Sequence, residues 1–210
     1  GHHFFNHQDN KMKLIITIST LLFSSIVTAD DIQSKPFNLV IRSADKVLNG
    51  QKFSACHSGA AIESFCVSGK TGASFYFNTT EGSQSPMPGY EPSGALVYNL
   101  PLGGVPDHVS EPMTFWNDPS TNVAMPMLQP GYERQYVTFD KDGLLAIFSY
   151  LDDTHTPPTG NEARALKNWF VCQTYFTGYQ YRTLAWVLGN GSAKPQNPSC
   201  IKVEVERKFV

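Results

Sequence analysis

Tyr136–Tyr150 reads Y-V-T-F-D-K-D-G-L-L-A-I-F-S-Y. Two short runs of β-forming residues flank Asp140-Lys141-Asp142-Gly143. Asp-Gly between such runs is a strong local signal for a hairpin, because glycine accepts the positive φ that a tight turn demands. A similar pattern stands upstream. Phe75-Tyr76-Phe77-Asn78 is followed, after a Gly/Pro/Ser-rich insert, by Gly94-Ala95-Leu96-Val97-Tyr98. Both copies read aromatic strand, glycine, aliphatic strand, which suggests an internal repeat.

Outward from these hairpins the same texture continues. Phe37–Ile41, Gln51–Cys56, Ala61–Val67, Met113–Trp116, Trp169–Thr174, Tyr181–Leu188 and Cys200–Phe209 read as strands. Turns rich in glycine and proline separate them, and no segment sustains a helical period. Ala163–Asn168 is expected to form a single helical turn. Val123–Leu128 contains Pro126 and is expected at a sheet edge. About twelve short strands point to an all-β barrel or sandwich. A β-trefoil is favoured, with thirds at Phe37–Leu100, Met113–Tyr150 and Trp169–Phe209, and a Greek-key β-sandwich is the alternative.

The chain has 210 residues, 16 glycines, 14 prolines and a formal net charge of −2. Its charges are scattered, with neither the basic stripe of a nucleic-acid binder nor a polybasic membrane patch. Met12-Lys13, the apolar run Leu14–Val27 and the small residues Val27-Thr28-Ala29 have the order of a secretory signal. Cleavage is expected after Ala29. Residues 1–29 are then leader plus signal, with Gly1–Lys11 ahead of the start, and residues 30–210 form one secreted all-β domain. His2, His3 and His7 fall in the leader, where nothing would hold them around a metal.

All 4 cysteines fall in the expected mature chain. A secreted chain with an even cysteine count implies disulfides. Four cysteines allow three pairings, and the sequential one, Cys56–Cys66 and Cys172–Cys200, closes two local loops. Asn78-Thr79-Thr80 and Asn190-Gly191-Ser192 are N-glycosylation sequons. Asn197-Pro198-Ser199 is excluded by its proline.

Few constellations carry chemistry. Asp140 and Asp142 stand at a calcium-loop spacing, but further oxygen ligands are missing and the turn reading prevails. Asp152-Asp153-Thr154-His155 groups titratable residues in a polar loop, as an acid/base pair requires. Cys56-His57-Ser58-Gly59 lacks a nucleophile elbow, and its cysteine is taken by a disulfide. Glycoside hydrolysis needs two acids facing a cleft. Glu63, Glu111, Asp118 and Glu133 are available, and nothing in their spacing selects a pair. Among many aromatics, Tyr175, Phe176 and Tyr179 lie in an expected turn and are the best candidates for an exposed ligand-binding surface.

The pattern W-F-V-C-x-T…G-Y-x-Y-x-T-L-A-W-V-L-G…P-x-N-P-S-C-x-K-V-x-V over Trp169–Val205, with F-S-A-C-H-S-G-A-A at Phe53–Ala61, resembles small secreted proteins of filamentous ascomycete fungi. The resemblance spans most of the mature chain and carries no catalytic residues with it. It implies an effector-like or cell-wall protein.

Taken together, the sequence favours a monomeric, secreted, non-enzymatic binding protein, extracellular or in the cell wall, that needs no cofactor. Its partner would be a cell-wall carbohydrate or a host extracellular protein. The alternatives are an extracellular hydrolase using Asp152, Asp153 and His155, and a trefoil-type protease inhibitor presenting Glu81–Ser93 or Asp152–Gly160.

Overall fold

The computed structural model describes residues 31–210, which form fifteen strands and no helix. The signal segment from Met12 and its cleavage after Ala29 lie outside the described residues. In chain order the strands are β1 (Asp31–Gln33), β2 (Phe37–Arg42), β3 (Phe53–Gly59), β4 (Ile62–Val67), β5 (Phe75–Thr80), β6 (Gly94–Pro101), β7 (His108–Trp116) and β8 (Val123–Leu128). They continue as β9 (Tyr136–Phe139), β10 (Leu145–Ser149), β11 (Arg164–Leu166), β12 (Trp169–Phe176), β13 (Tyr179–Val187), β14 (Ile201–Lys202) and β15 (Glu204–Phe209). The count exceeds the expected twelve because β1, β11 and β14 are only 3, 3 and 2 residues long, too short for alternation to show. The expected helical turn at Ala163–Asn168 is instead β11, which pairs with β10 from Ile147↔Leu166 to Ser149↔Arg164.

All pairings are antiparallel, and ten strands follow one curled path, β11-β10-β9-β6-β7-β8-β4-β13-β12-β14. The chain is therefore all-β, a half-barrel. Its topology does not confirm the threefold division of a trefoil. The two hairpins read from the sequence form as β9–β10, paired at Phe139↔Leu145, and β5–β6, paired from Phe75↔Tyr98 to Thr79↔Gly94. Gly94 is required at the second. A Cβ there would come within 2.5 Å of the Asn78 carbonyl and 2.7 Å of the Phe77 ring.

The last segment ties the ends of the curled sheet together. β14 pairs with β12, while β15 runs along β2 from Glu204↔Arg42 to Phe209↔Phe37. Its Arg207 amide donates to the Gly143 carbonyl at 2.8 Å, in the turn of the β9–β10 hairpin. That turn is built by Asp140, whose carboxylate accepts the Asp142 and Leu144 amides at 2.9 Å each. Gly143 has φ +78°, and a Cβ there would stand 3.3 Å from the Arg207 carbonyl. Conformation and close approach both call for glycine.

Two strands change partner at a proline. β7 leaves β6 at Val97↔Pro112 and takes up β8 at Met113↔Leu128. β8 pairs with β13 at Val123 and Ala124, then with β4 at Met127 and Leu128, and Pro126 falls between. The expectation that Pro126 marks an edge strand is corrected by this arrangement, since all six residues of β8 are buried. A proline's missing N–H is tolerated where the ladder on one side is interrupted, and a change of partner supplies such a place inside a sheet.

The concave side holds the core. Phe37, Phe65, Phe75, Phe139, Leu145, Trp169, Leu184 and Val205 are among its fully buried members. Each contributes about 1.5–3 kcal/mol by leaving water. The Trp169 indole donates to the Leu145 carbonyl at 2.8 Å, which satisfies its polar atom and pins β12 to the hairpin. Both disulfides form in the sequential pairing, Cys56–Cys66 and Cys172–Cys200.

Candidate functional site

Where β7, β8 and the β12–β13 hairpin meet, they leave a groove of about 320 Å³ lined by Trp116, Thr121, Val123, Met125, Gln173, Thr174, Tyr175, Gln180 and Asn197. Each wall has a local origin. Trp116 is the last residue of β7, opposite Met125 in register, and the Asn117-Asp118-Pro119 turn that follows leaves its ring 39% exposed. Tyr175 stands opposite Gln180 near the end of the β12–β13 hairpin and is 63% exposed. Thr177 and Gly178 make that hairpin's turn with φ of 47° and 94°. The Asn197 amide donates to the Gln173 carbonyl at 2.8 Å and holds the loop before Cys200 against β12. Thr174 bonds Thr183 across the strands at 2.8 Å, closing the floor. The lining has aromatic faces, amide side chains and hydroxyls, and no charged side chain.

The structure divides the three aromatics named from the sequence. Tyr175 lines the groove, and Phe176 supports it by packing edge-on against Trp116, with ring centroids 5.1 Å apart. Tyr179 belongs to a different set. It stacks with Tyr181 at 6.2 Å and meets the His57 ring edge-on at 5.3 Å, while the Tyr181 hydroxyl donates to the His57 carbonyl at 2.8 Å. Sequence reasoning missed the contributions of Trp116, Gln173, Gln180 and Asn197. Only the tryptophan carried a signal, since it closes a strand immediately before a turn.

The other sequence candidates are dispersed. Asp152 accepts the Thr154 amide at 3.0 Å and the Thr154 hydroxyl at 2.6 Å, and lies 3.3 Å from His155 in an exposed loop. The hydrogen bonds from Thr154 hold its carboxyl below the usual range, with His155 and Arg164 adding to the effect. Asp153 is exposed beside it and makes no ion pair among the described residues. The Glu81–Ser93 segment is fastened to the central hairpin: Glu91 donates to Phe139, and Lys141 donates to Gly89. Asn78 lies within β5, where its Oδ1 accepts from Gln33 at 3.0 Å. Asn190 lies in an exposed turn, its Oδ1 accepting the Ser192 amide at 3.2 Å and hydroxyl at 2.6 Å.

Of the four free acids, the structure selects two. Glu63 on β4 and Glu111 on β7 lie on either side of β8, where Leu128 pairs with both Glu63 and Met113. Glu111 is wholly buried and Glu63 is 5% exposed. Both Glu111 oxygens and the Glu63 Oε2 lack hydrogen-bond partners. Burial first, then the neighbouring Glu63 carboxyl, push the Glu111 carboxyl up to about 9. Tyr98, opposite Glu111 in register, is also raised, by burial and then by these two acids. The pair lies outside the aromatic groove, and its burial keeps a polymer chain from reaching it. Asp118 caps the Ser120 amide at 2.8 Å, and Glu133 is exposed.

This is an all-β, disulfide-stapled domain with an uncharged aromatic groove and an enclosed acid pair. The chain belongs to the family defined by the domain of unknown function DUF7907, whose model matches residues 34–209. Comparison with curated proteins and with solved structures gives no match. Among the described residues, no helix is long and apolar enough to cross a membrane.

Proposed function

We propose that this is a secreted fungal protein, effector-like or resident in the cell wall, that binds a neutral cell-wall polysaccharide without acting on it. The observation that carries the reading is the groove itself. Trp116 and Tyr175 offer exposed ring faces beside Gln173, Gln180 and Asn197, and no charged side chain lines it. Pyranose rings have apolar faces that pack on aromatic rings and hydroxyls that bond to amides. A polyanionic polymer such as pectate would find no countercharge there. Two disulfides support an oxidising compartment. The chain works as a monomer without a cofactor, and Asn190 is the sequon placed for a glycan.

The test is retention of the disulfide-intact protein on insoluble chitin, β-glucan, cellulose and mannan. Retention on at least one, reduced tenfold or more by Trp116→Ala and by Tyr175→Ala but not by Tyr132→Ala, is the expected result. Tyr132 is 97% exposed and outside the groove, so it controls for nonspecific aromatic adhesion. No retention on any of the four would turn attention to a host extracellular protein as partner.

A further inference from the structure

The enclosed acid pair lies outside the aromatic groove, and three of its buried oxygens lack a hydrogen-bond partner. Buried carboxylates are normally matched by a cation or by several N–H donors. Neither Glu63 nor Glu111 takes part in any ion pair among the described residues. The strands beside the pair bring no cation to it. β13, which pairs with β4, places Thr183 opposite Cys66. β6 presents Tyr98, a neutral phenol that brings no positive charge and leaves both Glu111 oxygens without a partner. β8 presents Leu128, which is apolar. β3 places His57 opposite Glu63 in register, but that side chain is exposed and turned against Tyr179. With no cation paired to them among the described residues, two neighbouring carboxylates withdrawn from water repel each other. One proton between them removes a charge and supplies the missing donor.

We propose that Glu63 and Glu111 form a proton-sharing latch that joins β4 to β7 past the end of β8, holding the fold together in acidic and neutral media and releasing it in alkaline media. The direction follows from proton counting. In the unfolded chain Glu111 gives up its proton in the ordinary carboxyl range, near 4.5, whereas in the fold it keeps it to about 9. Between these values the folded state binds the extra proton. Stability is therefore complete below the ordinary range and declines as pH rises through the folded value. The latch suits a protein that meets an acidic exterior, and it holds whether or not the aromatic groove binds sugar.

The experiment is urea unfolding of the disulfide-intact protein at intervals from pH 6 to pH 9.5, followed by tryptophan fluorescence. The window above pH 7.5 lies beyond histidine titration. For the wild type, the unfolding constant should rise by up to tenfold per pH unit, the limit for one proton. In Glu111→Gln and in Glu63→Gln the slope should flatten, because an amide completes the hydrogen bond without a titrating proton. A slope unchanged in both variants overturns the latch. Should neither variant fold, carbon-13 spectra of glutamate-labelled wild type decide. One carboxyl still protonated at pH 7 supports the proposal, and all glutamates titrating below pH 6 overturn it. Millimolar calcium that raises the melting temperature of the wild type but not of Glu111→Gln would also overturn it, by making the pair a cation site.

Discussion

Asp140 closes the turn of the central hairpin with Lys167 2.6 Å away, whereas Glu111 has another acid as its neighbour and no ion pair among the described residues. Both carboxyls are withdrawn from water, and burial pushes both upward. For Asp140 the hydrogen bond from Lys167, the Leu144 and Asp142 amides and the lysine charge outweigh burial, so its carboxyl is held below the usual range. For Glu111 the neighbour adds to burial instead. The contrast shows that the available donors, more than depth, decide whether a buried acid stabilises this fold as an anion or as a neutral group. It also divides the pH axis. The hairpin turn is sensitive to acid, and the Glu63–Glu111 pair to alkali.

The largest expected effect lies on the alkaline side. The wild type should lose a few kcal/mol of unfolding free energy between pH 5 and pH 9 through Glu111. Glu111→Gln should lie within about 1 kcal/mol of wild type at pH 5 and exceed it at pH 9, as read by urea midpoints. A variant less stable than wild type at both values would break the comparison, since it would make the glutamate an ordinary stabilising anion.

Asp140→Ala should come next, at about 2–3 kcal/mol at pH 7, because it strips two amides and Lys167 of their acceptor. Here the sign reverses. A lowered carboxyl contributes fully above its ordinary range and loses that contribution as pH falls through the folded value. The gap between wild type and variant should therefore stay constant from pH 7 to pH 5 and close in stronger acid. Thermal melts along an acid series would show it.

Gly143→Ala should cost about 1–2 kcal/mol, from a residue with positive φ and a Cβ pressed toward β15. If the loss were only a few tenths, the hairpin turn would not be seated against the last strand as tightly as the 3.3 Å approach to Arg207 implies. Hydrogen exchange at the Arg207 amide, which donates into this turn, would locate any loosening.

What the sequence revealed follows the same division between local and distant causes. The Asp140–Gly143 turn was legible because its chemistry is complete within four residues. The β5–β6 hairpin and the pairing of the cysteines were legible for similar reasons of proximity along the chain. Pro126 misled because the reason a proline is tolerated there, the exchange of β13 for β4, depends on strands about sixty residues away on either side. Glu63 and Glu111 stood among four unselected acids for the same reason. They come together only when β4 and β7 take their places on either side of β8, and no spacing encodes that. The groove was half legible: Tyr175 and Phe176 announced themselves beside a turn, while Trp116 joins them through folding of a different hairpin.

The smallest effect is expected where the sequence offered its most reactive-looking cluster. In Asp152-Asp153-Thr154-His155 the polar groups bond chiefly to each other, and the His155 side chain is 70% exposed. Asp152 meets neither the deep burial that raises Glu111 nor a lysine at 2.6 Å like the one that lowers Asp140. Exposed pairs of this kind contribute little to stability. Asp152→Asn and Asp153→Ala should leave the melting temperature unchanged across pH 5–9 and leave retention on polysaccharide untouched. A loss of turnover of any polysaccharide in either variant would make the loop a catalytic site and the protein a hydrolase. A loss of binding alone would extend the groove's surface to this loop, and neither the position of Trp116 nor that of Tyr175 gives reason to expect it.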